Sequence, residues 1–329
     1  AFITRGVPPG ASLHRMTDAL NLHLEPATWS RNYGHDDGVH FDGEQAESFR
    51  AAEPQAPLLF SWSPSARSKL VDDKYPTPLL LVGAGQHACT FLRTVLDQVD
   101  QLDESKEQPT TIELAGYLLI PENPLANCRV DHGAGTTSCL LYRVCVPSNP
   151  DANALVVLAQ QDVSKERAFG FAATLFQHVQ ADRVVALDSL LERSFQSQDG
   201  AFPPVLRVIE TKASKAEGAP ALCPFLQPPN LAQDLGAAIA SHCEVYGLAA
   251  RLFLSYQHKH YEVPSLRAFE AIADCTAVRT HMPTFVSAVN LLQAGGKKTQ
   301  AVYEKWIKAN AVPHSAERAA GAISITHRC

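Results

Sequence analysis

No run of lysine or arginine longer than two occurs in these 329 residues, and 28 basic side chains face 34 acidic ones. The net charge of −6 and the pI of about 6.1 leave nothing to track a phosphate backbone, which excludes a nucleic-acid binder. No stretch approaches 18 consecutive apolar residues, so no membrane-spanning helix is expected. The first 30 residues lack a basic segment followed by an apolar one, so no secretory signal is expected. The chain begins with Ala1 and not Met, which leaves room for an upstream piece. Eight cysteines, at 89, 128, 139, 145, 223, 243, 275 and 329, contain no C-x-x-C pair. That spacing fits neither a zinc ribbon nor a redox motif, and a chain of this size needs no disulfide staples. A reduced compartment is therefore expected, the cytoplasm first and the nucleus also. Also missing are the G-x-S-x-G elbow, the P-loop, the H-E-x-x-H zinc motif and the kinase signatures. No cofactor or metal is expected, and a hydrolase of the nucleophile-elbow type is excluded.

What is present reads as an ordinary globular protein, 46% hydrophobic and 19% charged, with mean hydropathy −0.10. Residues 1–70 show no sustained period and are expected to form an irregular N-terminal arm. A domain is expected over 71–293, and a C-terminal helix and tail over 294–329. Leu79 to Val82 predict a buried strand stopped by Gly83 and Gly85. After it, Ala88, Leu92, Val95, Leu96 and Val99 recur at helical spacing. Strands are predicted at 114–120, 139–146, 154–160, 183–188 and 248–256. A helix over 164–180 follows Ser164 as its cap, with Phe169, Ala172, Ala173, Phe176 and Val179 on one face. Residues 195–222 are expected to be a polar loop around "PVLRVIE". The clearest helix spans 228–247, capped by Asn230, with Leu231, Leu235, Ala238, Ile239 and Tyr246 on one face and Gly247 ending it in a left-handed conformation. Further helices are predicted near 265–275, 284–293 and 299–309. Alternating strands and helices of this kind imply an α/β fold with a mostly parallel sheet covered on both faces.

Candidate chemistry is sparse. Gly83-Ala84-Gly85-Gln86-His87-Ala88 fits the G-x-G-x-x-A pattern of a dinucleotide turn, which also needs an acidic residue near the end of the second strand. Asp100 and Asp103 fall at a helix end instead, and Glu122 comes about 40 residues beyond Gly83. Close packing of a strand on its helix explains the glycines better. His35, Asp36, His40 and Asp42 resemble a metal cluster but lack a scaffold to preorganise them. His258 and His260 have only Glu262 nearby as a carboxylate. Asp131, His132 and Ser138 are neighbours in sequence, which does not make a triad.

Two segments, "YPTPLLLVGAGQHACTFL" and "CPFLQPPNLAQDLGAAIASHCEVYGLAARLFLSYQ", together resemble the proteasome assembly chaperone 1 family. The residues that carry the likeness are Tyr75, Pro76, Gly83, Phe91 and Leu92 in the first segment. In the second they are Cys223, Pro224, Leu226, Pro229, Asn230, Asp234, Leu235, Ala237 and Ala238. "SLRAFEAI" at 265–272 extends it. The resemblance implies a non-enzymatic, three-layer α/β/α domain of nucleoside-phosphorylase-like type. It implies a heterodimer with proteasome assembly chaperone 2 that holds proteasome α-subunits and guides ring formation. It also implies a hydrophobic–Tyr–any-residue tail that inserts between α-subunits, matched here by Val302, Tyr303 and Glu304. This chain departs from that pattern, because 25 residues follow Glu304 and it lacks a free carboxylate there. The other reading of Val302, Tyr303, Trp306 and Ile307 is the apolar side of a last helix. The alternative function is a nucleoside- or nucleotide-binding enzyme that uses the turn at Gly83 to Ala88.

Overall fold

Strand β2, Tyr75–Ala84, has no wet face at its centre: Leu79, Leu80, Leu81 and Val82 are all fully buried. A strand covered on both sides needs helices above and below, and its neighbours then run parallel to it. The computed structural model, which describes residues 56–103, 110–120, 139–146, 149–160, 163–191, 195–196, 205–257 and 266–291, has this arrangement. The other strands are β1 (Leu59–Trp62), β3 (Thr111–Leu119), β4 (Leu140–Val146), β5 (Asn149–Ala159), β6 (Val179–Leu191), β7 (Val205–Glu210) and β8 (Ala249–Gln257). They form one sheet in the order β1-β3-β4-β5-β2-β6-β8-β7. The central four, β5, β2, β6 and β8, are mutually parallel. β4, β3 and β1 continue one side as an antiparallel meander, and β7 closes the other side antiparallel to β8.

The period-2 alternation of β2 sends Leu80 and Val82 into one core and Leu79 and Leu81 into the other. On the first face lie α3 (Lys165–His178) and α5 (Asp234–Val245), which contribute Phe171, Leu175 and Ile239. On the second lie α2 (Gly85–Asp103), a 3-10 helix (Leu266–Asp274), α6 (Thr276–His281) and α7 (residues 283–291). These supply Leu92, Val95, Phe269 and Phe285. The three-layer α/β/α expectation is met by this sandwich.

Several local expectations change. Residues 1–55 lie outside the described residues, but the stretch up to 70 is not all irregular. β1 pairs with β3, Trp62 is buried, and the short helix α1 (Pro64–Arg67) follows. Ser63 caps α1 by accepting from Ala66 N at 3.2 Å, with proline in the first turn. A four-residue strand is too short to show a period. "PVLRVIE" is likewise β7 and not loop, and α4 (Lys212–Ala216) follows it under a Thr211 cap. The helix expected from 228 starts only at Asp234, whereas Gly247 ends it at φ 69° as expected. Ser164 stands at the N-cap of α3 as expected, its carbonyl accepting from Arg167 N and Ala168 N, but its side chain makes no capping hydrogen bond.

The β7 edge is anchored by a buried ion pair. Arg251 and Glu210 are register partners, with Nε and Oε1 2.9 Å apart and side chains only 7% and 4% exposed. Arg251 also donates to Ser214 Oγ and to the carbonyls of Ala219 and Pro220. A buried charge pair persists only when its remaining donors are satisfied in this way.

Two histidines stack on aromatic rings of the first layer. His242 of α5 lies 4.5 Å from Phe176 and 4.4 Å from Tyr246, and His178 lies 4.2 Å from Phe60. Burial, and then the Lys74 charge, push the His242 pKa down to about 4, and His178 is lowered for the same reasons. In the unfolded chain a histidine takes up its proton near pH 6.5. Between there and about 4 the unfolded state therefore binds more protons than the folded one, and stability falls as pH falls. Above that window the contribution is complete. Replacing His242 by Phe is expected to flatten much of this dependence between pH 7 and 5, measured by urea unfolding at each pH. An unchanged slope would contradict the assignment.

Candidate interaction surface and the glycine turn

The glycine turn is where a small-molecule site was the competing expectation. Gly83 is the penultimate residue of β2, and α2 begins at Gly85, whose φ of 76° lies in the left-handed region. A Cβ on Gly83 would stand 2.9 Å from Leu92 Cδ1 and 3.3 Å from the backbone of Ala88 and Cys89. The Cys89 thiol donates to the Gly83 carbonyl at 3.2 Å. Gly83 thus exists for contact between strand and helix, and Gly85 for its backbone angle. A dinucleotide unit also needs the strand after the helix to lie beside the first one. Here β2 lies between β5 and β6, and β3 pairs with β1 and β4. Asp100 and Asp103 belong to α2, and Glu122 lies outside the described residues.

An acidic side chain does stand at the right height, on the wrong face. Gly83 is the register partner of Leu187, so Asp188 comes one residue further along β6. A Cβ on Gly236 in the first turn of α5 would collide with the Asp188 carboxylate, on the face opposite α2. That carboxylate accepts from Ser189 N at 2.7 Å and sits at a helix N-terminus, where negative charge is favoured. Clefts are present elsewhere among the described residues. One of about 300 Å³ lies beside Arg93, Asp97, Ile112 and Tyr142, and one of about 160 Å³ beside Arg183, Ser214, Arg251 and Cys275. Gly83, Ala84, Gly85, His87 and Ala88 line neither cleft.

The segment from Cys223 to Leu231 is a braced loop. Val208 of β7 donates to the Pro224 carbonyl at 3.1 Å and accepts from Leu226 N at 3.0 Å, with Phe225 forming a parallel bridge to it. The Pro228–Pro229 peptide is cis. Asn230, expected as a helix cap, is instead a buried clamp. Its side chain accepts from Gln196 N at 2.7 Å and donates to the carbonyls of Gln196 and Gln227, both at 2.9 Å. Asp234 opens α5 at φ 55°, and Leu235 points into the core. Burial pushes the half-buried Cys223 thiol up to about 11, which keeps it protonated. At the other segment, Tyr75 is buried with its ring 5.2 Å from Trp62, and Pro76 is exposed. The loop presents two large apolar side chains outward: Phe225 is 45% exposed, with Lys215 Nζ 5.8 Å from its ring centre, and Leu231 is 70% exposed.

Most motif residues therefore brace and do not face outward. The structure brings Cys223, Pro224, Pro229, Asn230, Asp234 and Leu235 together in one loop and helix start. Tyr75, Pro76 and Gly83 lie along the central strand. Val302, Tyr303 and Glu304 lie outside the described residues, as do the His35 to Asp42 cluster, Asp131, His132, Ser138 and His258 to His260. Among the described residues, no three His, Cys, Asp or Glu side chains are grouped to hold a metal ion. Sequence reasoning missed Phe225, Gly236 and Asp188. The signal for Gly236 was present, because a glycine inside a helix costs about 1 kcal/mol and so marks a close contact.

A family model, PAC1, described as Proteasome assembly chaperone 4, matches residues 34–313. Proteasome assembly chaperone 1 of Danio rerio is 26% identical over 210 residues, covering 58% of this chain and 66% of that protein. The Homo sapiens protein of that name is 22% identical over 229 residues, 67% of this chain and 73% of the relative. The Nematostella vectensis one is 25% identical over 122 residues, 36% and 48% respectively. The chain thus spans slightly less than two thirds of the Danio rerio protein and about half of the Nematostella one. Among solved structures, PbaA of Pyrococcus furiosus, an archaeal homolog of proteasome-assembly chaperone, is similar at a TM-score of 0.45 and 12% identity. The match covers 81% of this chain and 98% of that one. PbaB of the same organism, an archaeal proteasome activator, is similar at 0.42 and 9%, over 76% and 98%.

The packing role of Gly83 has a measurable consequence. Gly83→Ala is expected to lower the unfolding free energy by about 1–3 kcal/mol, the usual cost of overpacking. Urea titration followed by far-UV circular dichroism measures it. A neutral effect would mean that the helix does not press on this residue.

Proposed function

The chain belongs to the proteasome assembly chaperone family, and from that premise we propose that it promotes assembly of the 20S proteasome. In this reading it pairs with proteasome assembly chaperone 2, and the pair holds α-subunits while they close into a ring. It works in the cytoplasm, and also in the nucleus. The observation that carries the reading is the family match over residues 34–313, which takes in the whole described domain. The geometry is compatible with it. The G-x-G-x-x-A turn is occupied by strand–helix packing, and a rigid loop offers Phe225 and Leu231 to solvent. Exposed apolar side chains on a braced scaffold suit stoichiometric recognition without turnover. We therefore read the chain as a non-enzyme, with a fold related to the three-layer nucleoside phosphorylases, and assign no nucleotide to the turn.

The tail belongs to the same proposal. Val302, Tyr303 and Glu304 act as the inserting element, with the Glu304 side-chain carboxylate standing in for a chain end. Two measurements test these statements. Tagged protein pulled from its own cytosol should bring down a second assembly chaperone with α-type proteasome subunits, identified by mass spectrometry; recovery of neither would sink the chaperone reading. Truncation directly after Glu304 supplies a terminal carboxylate and should tighten α-ring binding several-fold in a titration. Unchanged binding, or loss of folding, assigns Tyr303 to a packed helix instead.

A further inference from the structure

The second face of the sheet is covered unevenly. Over the parallel strands α2, the 3-10 helix, α6 and α7 close it, but over the meander of β4, β3 and β1 it is half open. Alternation along β3 and β4 sends Ile112, Leu114, Tyr117, Leu119 and Tyr142 to this side, and all five are only half-buried. The bulge between Leu114 and Gly116 keeps Leu114 and Tyr117 on the same side. Leu59 of β1, the register partner of Leu119, adds a side chain that is 56% exposed. The opposite side of the same strands is finished: Trp62, Ala115, Leu118 and Leu141 are buried in the first core. Where the open face meets α2 it sinks into the cleft of about 300 Å³ that Leu96, Ile112, Leu114 and Tyr142 help to line. Contiguous apolar side chains left in water mark a surface that something covers.

The size of the face distinguishes the possible covers. Three strands about 4.8 Å apart, each contributing about six residues, make a face of roughly 300 Å². A stable contact between two chains takes about 800 Å² from each, which this face is too small to supply. One helix, about 10 Å wide with its side chains, fills it. The sequence supplies such a helix over 299–309, where Val302, Tyr303, Trp306 and Ile307 fall on one side at i, i+1, i+4 and i+5. At about 1.5 Å per residue it is roughly 16 Å long, enough to cross β4, β3 and β1. The chain also leaves the described domain close by. Thr110, just before β3, donates to the Thr284 hydroxyl at the start of α7 at 3.2 Å, and α7 runs only about 13 Å from there to residue 291. Residues 292–298 can span up to about 24 Å, so the helix reaches the face.

We propose that the side of 299–309 carrying Val302, Tyr303, Trp306 and Ile307 docks on the second face of the β4-β3-β1 meander, against Ile112, Leu114, Tyr117 and Tyr142. Docking gives the half-open part of the sheet its missing layer and brings two aromatic side chains onto two others, a pairing that adds to area burial. The docked side includes the Val302, Tyr303 and Glu304 element assigned above to insertion between α-subunits. The same side chains serve one place at a time, so the free chain holds its tail on its own sheet and insertion requires release. Docking needs no partner protein, and it stands or falls apart from the chaperone reading.

The test uses the full-length chain with the photo-reactive residue p-benzoylphenylalanine in place of Tyr117 or, separately, of Tyr142. After irradiation, mass spectrometry of the digest should find both positions joined to peptides from 302–309. Mixing isotopically light and heavy chains separates links within one molecule from links between two, and the expected links are within one. Trp306→Asp should abolish them and speed amide hydrogen exchange over 302–309 about tenfold, while Leu80 to Val82 keep their protection. Links to a second copy, links to residues 121–138 in place of 302–309, or no link at all overturn the proposal. So does a link that survives Trp306→Asp in a chain whose Leu80 to Val82 stay protected. If Trp306→Asp costs Leu80 to Val82 their protection, that variant has unfolded, and the links formed with Trp306 intact decide alone.

Discussion

The burial of β2 on both faces is the constraint from which the rest of the molecule follows. Four consecutive fully buried aliphatic side chains, Leu79 to Val82, cannot be satisfied by one layer of helices. Parallel neighbours on both sides require crossover connections, and α3 between β5 and β6 is one of them. The second layer begins immediately after the strand, so α2 must turn back on it within a residue or two. Gly83 and Gly85 meet that requirement in different ways, one by yielding space to Leu92 and the other by adopting a left-handed angle. The feature that most resembles a cofactor motif is thus a consequence of how the core strand is covered.

Polar order is concentrated on the opposite flank, where the sheet ends. The Arg251–Glu210 pair pins β7 to β8 and reaches α4 and the carbonyls of Ala219 and Pro220. The Pro224 to Leu226 backbone bonds to Val208 from outside, which covers part of an edge strand that would otherwise invite pairing with another chain. Asn230 and Gly236 complete the set, one by tying the loop to Gln196 and the other by admitting the Asp188 carboxylate to the helix start. A loop held at so many points can keep Phe225 and Leu231 in water without folding them inward. Rigid presentation lowers the entropy lost on binding, the property a recognition surface needs.

Long-period features were legible from the sequence and short or three-dimensional ones were not. The β2–α2 unit, α3, β6 and β8 show their spacing over enough residues to be read directly, and Gly247 marked the end of α5. β1 spans four residues and β7 six, which is too short for a period to stand above composition. The 3-10 form of Leu266–Asp274 and the late start of α5 depend on tertiary context. At the candidate site the motif pattern singled out Asn230 and Asp234 but not their roles, because the partner of Asn230 is the backbone of Gln196, 34 positions away. Asp188 carries no local signal at all: its meaning comes from the glycine at 236 that makes room for it.

The central proposal is that this chain acts by stoichiometric holding and not by turnover. Its most direct measurement is the yield of α-rings from purified α-subunits as the chain and the partner chaperone proposed for it are added in increasing molar ratio, read by native mass spectrometry. The account predicts a yield that climbs with the amount added and levels off at one chaperone pair per ring. A yield that does not change, or one already maximal with trace amounts of the pair, would contradict it.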